Sequence, residues 1–218
     1  MKYTKTSIGI VMGFTLVLLS MTLNSAFTTS VSNLNPYCMT QKDVSAITLF
    51  GVKEPHSLPS DYKFQCGIAG LHEAYLLYGT STIQPGINES LKSIFGPQAE
   101  QGSIYLTIID EKGILGDANF TTEVGNTSKR ITDEYDYIIQ KNPSLHPELI
   151  KINGVTAWAN EACLGCGKQT AYFHDGTIIH HSYDVPSRIQ FYDKNGIMYN
   201  LQSNLSLNSL KQIAESIR

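Results

Sequence analysis

A chain of 218 residues with 16 Lys and Arg against 19 Asp and Glu carries a net charge of −3 and no basic stripe, which excludes nucleic acid as a partner. Hydrophobic residues make up 42% of the sequence, enough for one domain of ordinary size to bury its own core. Past residue 26 no apolar run is long enough to cross a bilayer as a helix.

The N-terminus, "MKYTKTSIGIVMGFTLVLLSMTLNSAF", has a positive flank at Lys2 and Lys5 and an uncharged run from Ile8 to Leu23. Asn24, Ser25 and Ala26 supply small or polar residues for peptidase cleavage, so residues 1–26 read as a signal peptide. As a helix the apolar run spans about 24 Å, short of the ~30 Å hydrocarbon core. Extension to Phe27 would let it span, which keeps an uncleaved N-terminal anchor as the alternative. Both readings export the chain, either secreted or tethered to the outer face of the cytoplasmic membrane. Residues 27–37 are polar and non-periodic and read as a flexible tether; residues 38–218 read as a single domain.

Within that domain, "TQKDVSAITLFG" predicts a short helix with Thr40 as N-cap, Asp43 three positions on and Gly51 as the stop. "YKFQCGIAG" and "HEAYLLYG" predict strands, the first with Tyr62, Phe64, Cys66 and Ile68 alternating along one face. Residues 80–102 hold Pro85, Gly86, Gly96, Pro97 and Gly102 and predict an irregular excursion. "SIYLTIID" is a further strand, ended by a turn at "DEKG". In "NTSKRITDEYDYIIQKNPS", Ile131, Tyr135, Ile138 and Ile139 fall on a helical stripe that Thr127 or Ser128 caps and Pro143 ends.

Three hairpins follow. Asn153-Gly154, Asp175-Gly176 and Asn195-Gly196 are each flanked by strand-forming residues, and such dipeptides favour two-residue turns. Around the third, Ile189 and Phe191 alternate with Arg188 and Gln190, which predicts one buried face and one wet face. The chain closes with a helix capped by Ser206, its stripe made of Leu210, Ile213, Ala214 and Ile217 and Leu205 placed to staple onto Leu210. The fold class is α+β: a curved antiparallel sheet of successive hairpins, covered on one face by helices that include the C-terminal one.

No nucleophile elbow, zinc-protease helix, phosphate loop, dinucleotide fingerprint or calcium loop is present, and no catalytic residue is assigned. Asp133, Glu134 and Asp136 lie beside Lys129 and Arg130 and read as a solvated helix face. The aromatics Tyr75, Tyr78, Tyr105, Tyr172, Phe173, Tyr192 and Tyr199 sit on or beside strands and read as core or sheet-face residues.

The chemistry that stands out is the four cysteines, Cys38, Cys66, Cys163 and Cys166, with the last two in a C-x-x-C spacing. An even count in an exported chain favours disulfides, and of three pairings the expected one is Cys38–Cys66 with Cys163–Cys166. The first ties the N-terminal segment to the first strand and is worth ~3 kcal/mol on the loop-entropy picture. The second closes a small ring at a hairpin, with Gly165 and Gly167 tolerating the bent backbone.

One alternative is a zinc or copper site on Cys163, Cys166, His174 and His181. Register weakens it: a two-residue turn at Asp175-Gly176 sets Tyr172 opposite Ile179 and Thr170 opposite His181. His174 and His181 then share a face but stand about 13 Å apart, and His180 points the other way. The other alternative is a thiol oxidoreductase, disfavoured because a strand rather than a helix follows Cys166. Asn88, Asn119, Asn126 and Asn204 open glycosylation sequons.

"LPSDYKFQCGI", "LIKINGVTAWANE" and "DVPSRIQFYDKNGIMYNLQSNLSLNSLKQIAESI" resemble a family of uncharacterised exported proteins common in archaea. The C-terminal domain of that family is itself similar to carrier and sensor domains of lipoprotein-sorting factors and periplasmic sigma-factor regulators. The shared features cover about residues 47–69 and 148–217; the middle, 80–125, has no counterpart. The resemblance implies a non-enzymatic binding or sensing module at the cell envelope. Its partner would be a hydrophobic ligand, such as a lipid or extended peptide, or an envelope protein. It implies no cofactor and carries over no catalytic residue. No lipobox cysteine follows the leader, and Cys163 and Cys166 stand where the family has a plain turn.

Overall fold

The computed structural model describes residues 38–80, 103–116, 127–172 and 178–218. The leader, the tether, the excursion at 80–102 beyond residue 80, the Asp175-Gly176 turn, Phe173, His174 and the sequons at Asn88, Asn119 and Asn126 lie outside the described residues. Among the described residues no helix is long and apolar enough to cross a membrane.

The chain is α+β. Its strands are β1 (Lys63–Ala69), β2 (Glu73–Gly79), β3 (Ile104–Asp110), β4 (Glu148–Ile152), β5 (Val155–Asn160), β6 (Cys163–Tyr172), β7 (Ile178–Val185), β8 (Ser187–Tyr192) and β9 (Ile197–Ser203). Its helices are α1 (Gln41–Ile47), α2 (Glu111–Leu115), α3 (Thr127–Lys141) and α4 (Leu207–Glu215), with a 3₁₀ turn at Pro143–Leu145. Seven strands form one open antiparallel sheet in the order β1-β2-β3-β9-β8-β5-β4. Among the described residues β6 and β7 pair only with each other and make a separate two-stranded ribbon between β5 and β8 in the chain.

Local chemistry explains the hairpins. Asn153 and Gly154 take φ of 47° and 85°, and Ile152 pairs with Val155, so this is a two-residue turn that only such residues accept easily. The loop between β8 and β9 is longer, because Asp193 accepts the amides of Asn195 and Ile197 at 2.8 and 3.1 Å and Gly196 turns at φ 81°.

One face of the sheet is covered by α1 and α4. Leu210, Ile213 and Ala214 of α4 pack with Ile189, Phe191, Tyr199 and Leu201 in a single buried cluster. Ser206 caps α4, and Ile217 is buried just past its end, where it bridges to Pro55. In α1, Thr40 and Asp43 form the reciprocal capping box, and the helix ends at Thr48 rather than at Gly51. Val44 lies against Gly67, where an added Cβ would overlap Val44 Cγ2, so the close approach of α1 to β1 requires glycine.

Part of the opposite face is covered too, by α3. Ile131, Tyr135 and Ile138 pack on Trp158, Tyr192 and Met198. Ile139 turns outward and is exposed. As a result the face expected to be wet around Arg188 and Gln190 is closed: both faces of β8 and β9 are buried along most of their length.

Three local readings change. Thr127 and Ser128 lie inside the first turn of α3 rather than before it. "DEKG" is not a turn after β3 but the start of α2, because Asp110 caps it by accepting the Gly113 amide at 3.0 Å. β1 does not alternate cleanly: Phe64 pairs with Tyr78 and Cys66 with Leu77, so Gln65 is an extra residue in a bulge. The bulge sends Phe64 to the α1 face, where it meets Tyr78 edge-on, and turns Cys66 toward Leu77 on the other face.

Candidate functional site

Among the described residues, none of β6 or β7 belongs to a buried hydrophobic cluster. All of β7 from Ile178 to Asp184 is exposed. Ile178, Ile179 and Tyr183 are 53%, 49% and 43% exposed, and Leu164 at the ribbon root is 86% exposed. A strand with one buried face alternates; "IIHHSYD" places two apolar residues in succession, then two histidines, and that break in period is the sequence signal of two open faces.

Two sets of contacts hold the root. On one side, the Asn160 side-chain amide donates to the carbonyls of Glu161 and Pro186 at 2.9 and 3.0 Å. The Ala162 amide donates to Ser187 Oγ at 2.9 Å, and the Glu161 carboxylate accepts the Leu207 amide at 3.0 Å in the first turn of α4. On the other side, Asn142, just past α3, donates through Nδ2 to the Cys166 carbonyl at 3.1 Å.

Between those anchors the C-x-x-C loop interrupts the pairing. Cys163 pairs with Val185 and Gly167 with Tyr183, so Leu164, Gly165 and Cys166 stand opposite Asp184 alone. Gly165 takes φ 66° and its amide donates to Asp184 Oδ1 at 2.8 Å. The Tyr183 ring lies against Gly167, leaving no room there for a Cβ.

The sulfurs of Cys163 and Cys166 are at bonding distance, with Cα atoms 5.6 Å apart. Those of Cys38 and Cys66 are too, with Cα atoms 5.2 Å apart. The two pairs differ in setting: Cys66 is fully buried beside Leu77 and Tyr105, whereas Cys163 and Cys166 are only half-buried.

The histidine geometry departs from the two-residue-turn reading by one residue. Tyr172 pairs with Ile178, which leaves five residues between them, and an odd number cannot close on a regular two-residue turn. Thr170 therefore faces His180, and its hydroxyl lies 3.1 Å from His180 Nδ1, while His181 pairs with Gln169. His181 thus moves to the opposite face of the ribbon from that assigned. Among the described residues, no three His, Cys, Asp or Glu side chains are placed to hold one metal ion. Of the sequons, Asn204 is described and is exposed between β9 and α4.

A second polar constellation lies under α3, and the solvated-face reading of Glu134 is corrected by it. Asp133 and Asp136 are exposed as expected, but Glu134 points into the sheet and accepts Gln190 Nε2 at 2.5 Å. Arg188 donates to Asn200 Oδ1 and Gln190 Oε1, both at 2.9 Å, and its guanidinium lies 4.8 Å from the centre of the Trp158 ring.

Burial pushes the Glu134 carboxyl up, and the Arg188 charge opposes it. Burial pushes the Arg188 guanidinium down, and Glu134 opposes that. The Trp158 indole also favours the ionised Glu134, yet its Nε1 makes no hydrogen bond of normal geometry among the described residues, so that contribution is one of proximity. Beside this network Arg130 pairs with Glu111, which also accepts the Tyr192 hydroxyl at 3.1 Å; burial raises both the Glu111 carboxyl and the Tyr192 phenol. Glu134, Arg188, Gln190 and Asn200 each meet a partner inside the protein, so the network seats α3 on the sheet.

Comparison with protein-family models, with curated proteins and with solved structures found no match.

Proposed function

We propose that this protein is a non-enzymatic binding module working outside the cytoplasm, at the cell envelope, and that it takes an extended peptide segment of an envelope partner along the β6–β7 ribbon. The observation that carries this reading is the ribbon itself. Among the described residues no other strand pairs with either of its outer edges, and its apolar side chains Leu164, Ile178, Ile179 and Tyr183 face solvent. An open edge offers a row of backbone donors and acceptors to an incoming strand, and the side chains flanking it supply affinity.

The packed cluster between α4 and the sheet favours this surface over a lipid held inside. The leader-like N-terminus and two sulfur pairs at bonding distance support an exported setting. The test is a benzoylphenylalanine photocrosslinker placed at Ile179 in the full exported chain, with exposed Gln212 of α4 as control position. A discrete adduct to an envelope protein at position 179, absent at 212, is expected. Labelling that is equal at the two positions, or missing from both, would contradict the reading.

A further inference from the structure

We infer that the Cys163–Cys166 pair is a thiol–disulfide exchange site, open to a dithiol in the folded protein, and that its state controls how the ribbon root is held to the end of α3. Three features of the fold meet at this pair. The pair is half-buried, and both residues between its cysteines are exposed, Leu164 to 86%, so a thiolate can approach without unfolding. At Cys38–Cys66 only Cys38 is half-buried, and its partner Cys66 is fully buried.

The surroundings also differ between the two sulfurs of the pair. Cys163 Sγ lies 3.9 Å from the Ser144 carbonyl oxygen in the 3₁₀ turn, which gives the released Cys163 thiol an acceptor. Cys166 Sγ sits beside its own loop, 3.8 Å from the Leu164 carbonyl. Finally, the Cys166 carbonyl is the acceptor for Asn142 at 3.1 Å, so the closed loop positions a hydrogen bond that ties β6 to the residue just past α3.

The exchange balances with a dithiol as co-reactant. One reductant thiolate attacks Cys166 Sγ and forms a mixed disulfide; the Cys163–Cys166 bond breaks, and Cys163 leaves as a thiolate that takes up a proton. The second reductant thiol, as its thiolate, attacks the mixed disulfide and releases Cys166, which is protonated in turn. Two electrons pass to the protein pair, and the reductant becomes a disulfide. With the ring open, Leu164–Cys166, which lie outside the strand pairing and keep the Gly165 amide on Asp184, can move the Cys166 carbonyl off Asn142. Exchange here is independent of whether the ribbon takes a peptide.

The test treats the oxidised full chain with graded dithiothreitol without denaturant, traps free thiols with iodoacetamide and maps them by mass. Cys163 and Cys166 should be alkylated at least about tenfold faster than Cys38 and Cys66, as expected when attack requires access to a sulfur. In parallel, amide exchange at 163–167 and 183–185 should quicken on reduction while β3 and β9 are unchanged. The Cys163→Ser/Cys166→Ser variant should show the quickened root with no reductant. Loss of both pairs at one rate, or only on unfolding, would overturn the exchange site. Reduction with no change in exchange at the root, together with a double variant that exchanges like the oxidised protein, would overturn the control of the ribbon.

Discussion

The β8–β9 hairpin and the β6–β7 ribbon are adjacent in the chain, yet the first is buried on both faces along most of its length while β7 of the second is exposed from Ile178 to Asp184. The difference does not come from strand pairing, which is antiparallel in both. It comes from what lies against the side chains. β8 and β9 have α4 on one face and α3 on the other, so even Arg188, Gln190 and Asn200 are drawn into a closed network. The ribbon has no helix across it among the described residues, so its strands add little burial to the fold. Stability is therefore concentrated in the sheet, and the partner we propose is placed on the ribbon.

Truncations separate the two regions most sharply. Trp158→Ala removes a fully buried ring from beneath α3 and should cost about 3–5 kcal/mol in urea denaturation. Ile179→Ala on the ribbon should stay within about 0.5 kcal/mol of the parent. Similar losses at both positions would mean that the ribbon is part of the core after all.

A smaller effect probes how the polar network seats α3. Arg188→Ala leaves Glu134 buried without the larger of the two charges, Arg188 and Arg130, that oppose its desolvation and should cost about 3 kcal/mol. The double variant Arg188→Met/Glu134→Gln should recover most of that loss, because it removes both charges while keeping the volume. A single variant as stable as the parent would show that α3 does not depend on this pair.

The smallest effect is the pH dependence. Burial raises the Glu134 carboxyl in the folded state, so the folded protein binds its proton more tightly than the unfolded chain does. The stability this gives is fully present below the unfolded carboxylate pKa and is lost as pH rises through the folded value. Urea midpoints measured from pH 4 to 7 should therefore fall less with rising pH in Glu134→Gln than in the parent. An unchanged or steeper fall in the variant would reverse the assignment.

Much of the fold was legible because it rests on short-range rules. Thr40 with Asp43, Asn153-Gly154 and Ser206 each specify a local conformation that the structure contains. What escaped depends on contacts distant in sequence. Glu134 sits among Asp133 and Asp136 and looks like any charged helix residue; only the meeting of α3 with β8, more than fifty positions away, buries it. The bulge at Gln65 and the odd count between Tyr172 and Ile178 each flip residues to the other face, and neither leaves a mark in the hydrophobic pattern. At the ribbon the sequence pointed to the C-x-x-C, while the exposed Ile178, Ile179 and Tyr183 were visible only as a lapse in alternation.

Native-state amide hydrogen exchange followed residue by residue tests the division of labour most directly. β3 and β9, at the centre of the seven-stranded sheet, should exchange only through global unfolding, whereas β6 and β7 should exchange through local opening at far lower free energy. Ribbon amides protected to the same level as those of β3 and β9 would contradict the account, because the ribbon would then belong to the cooperative core.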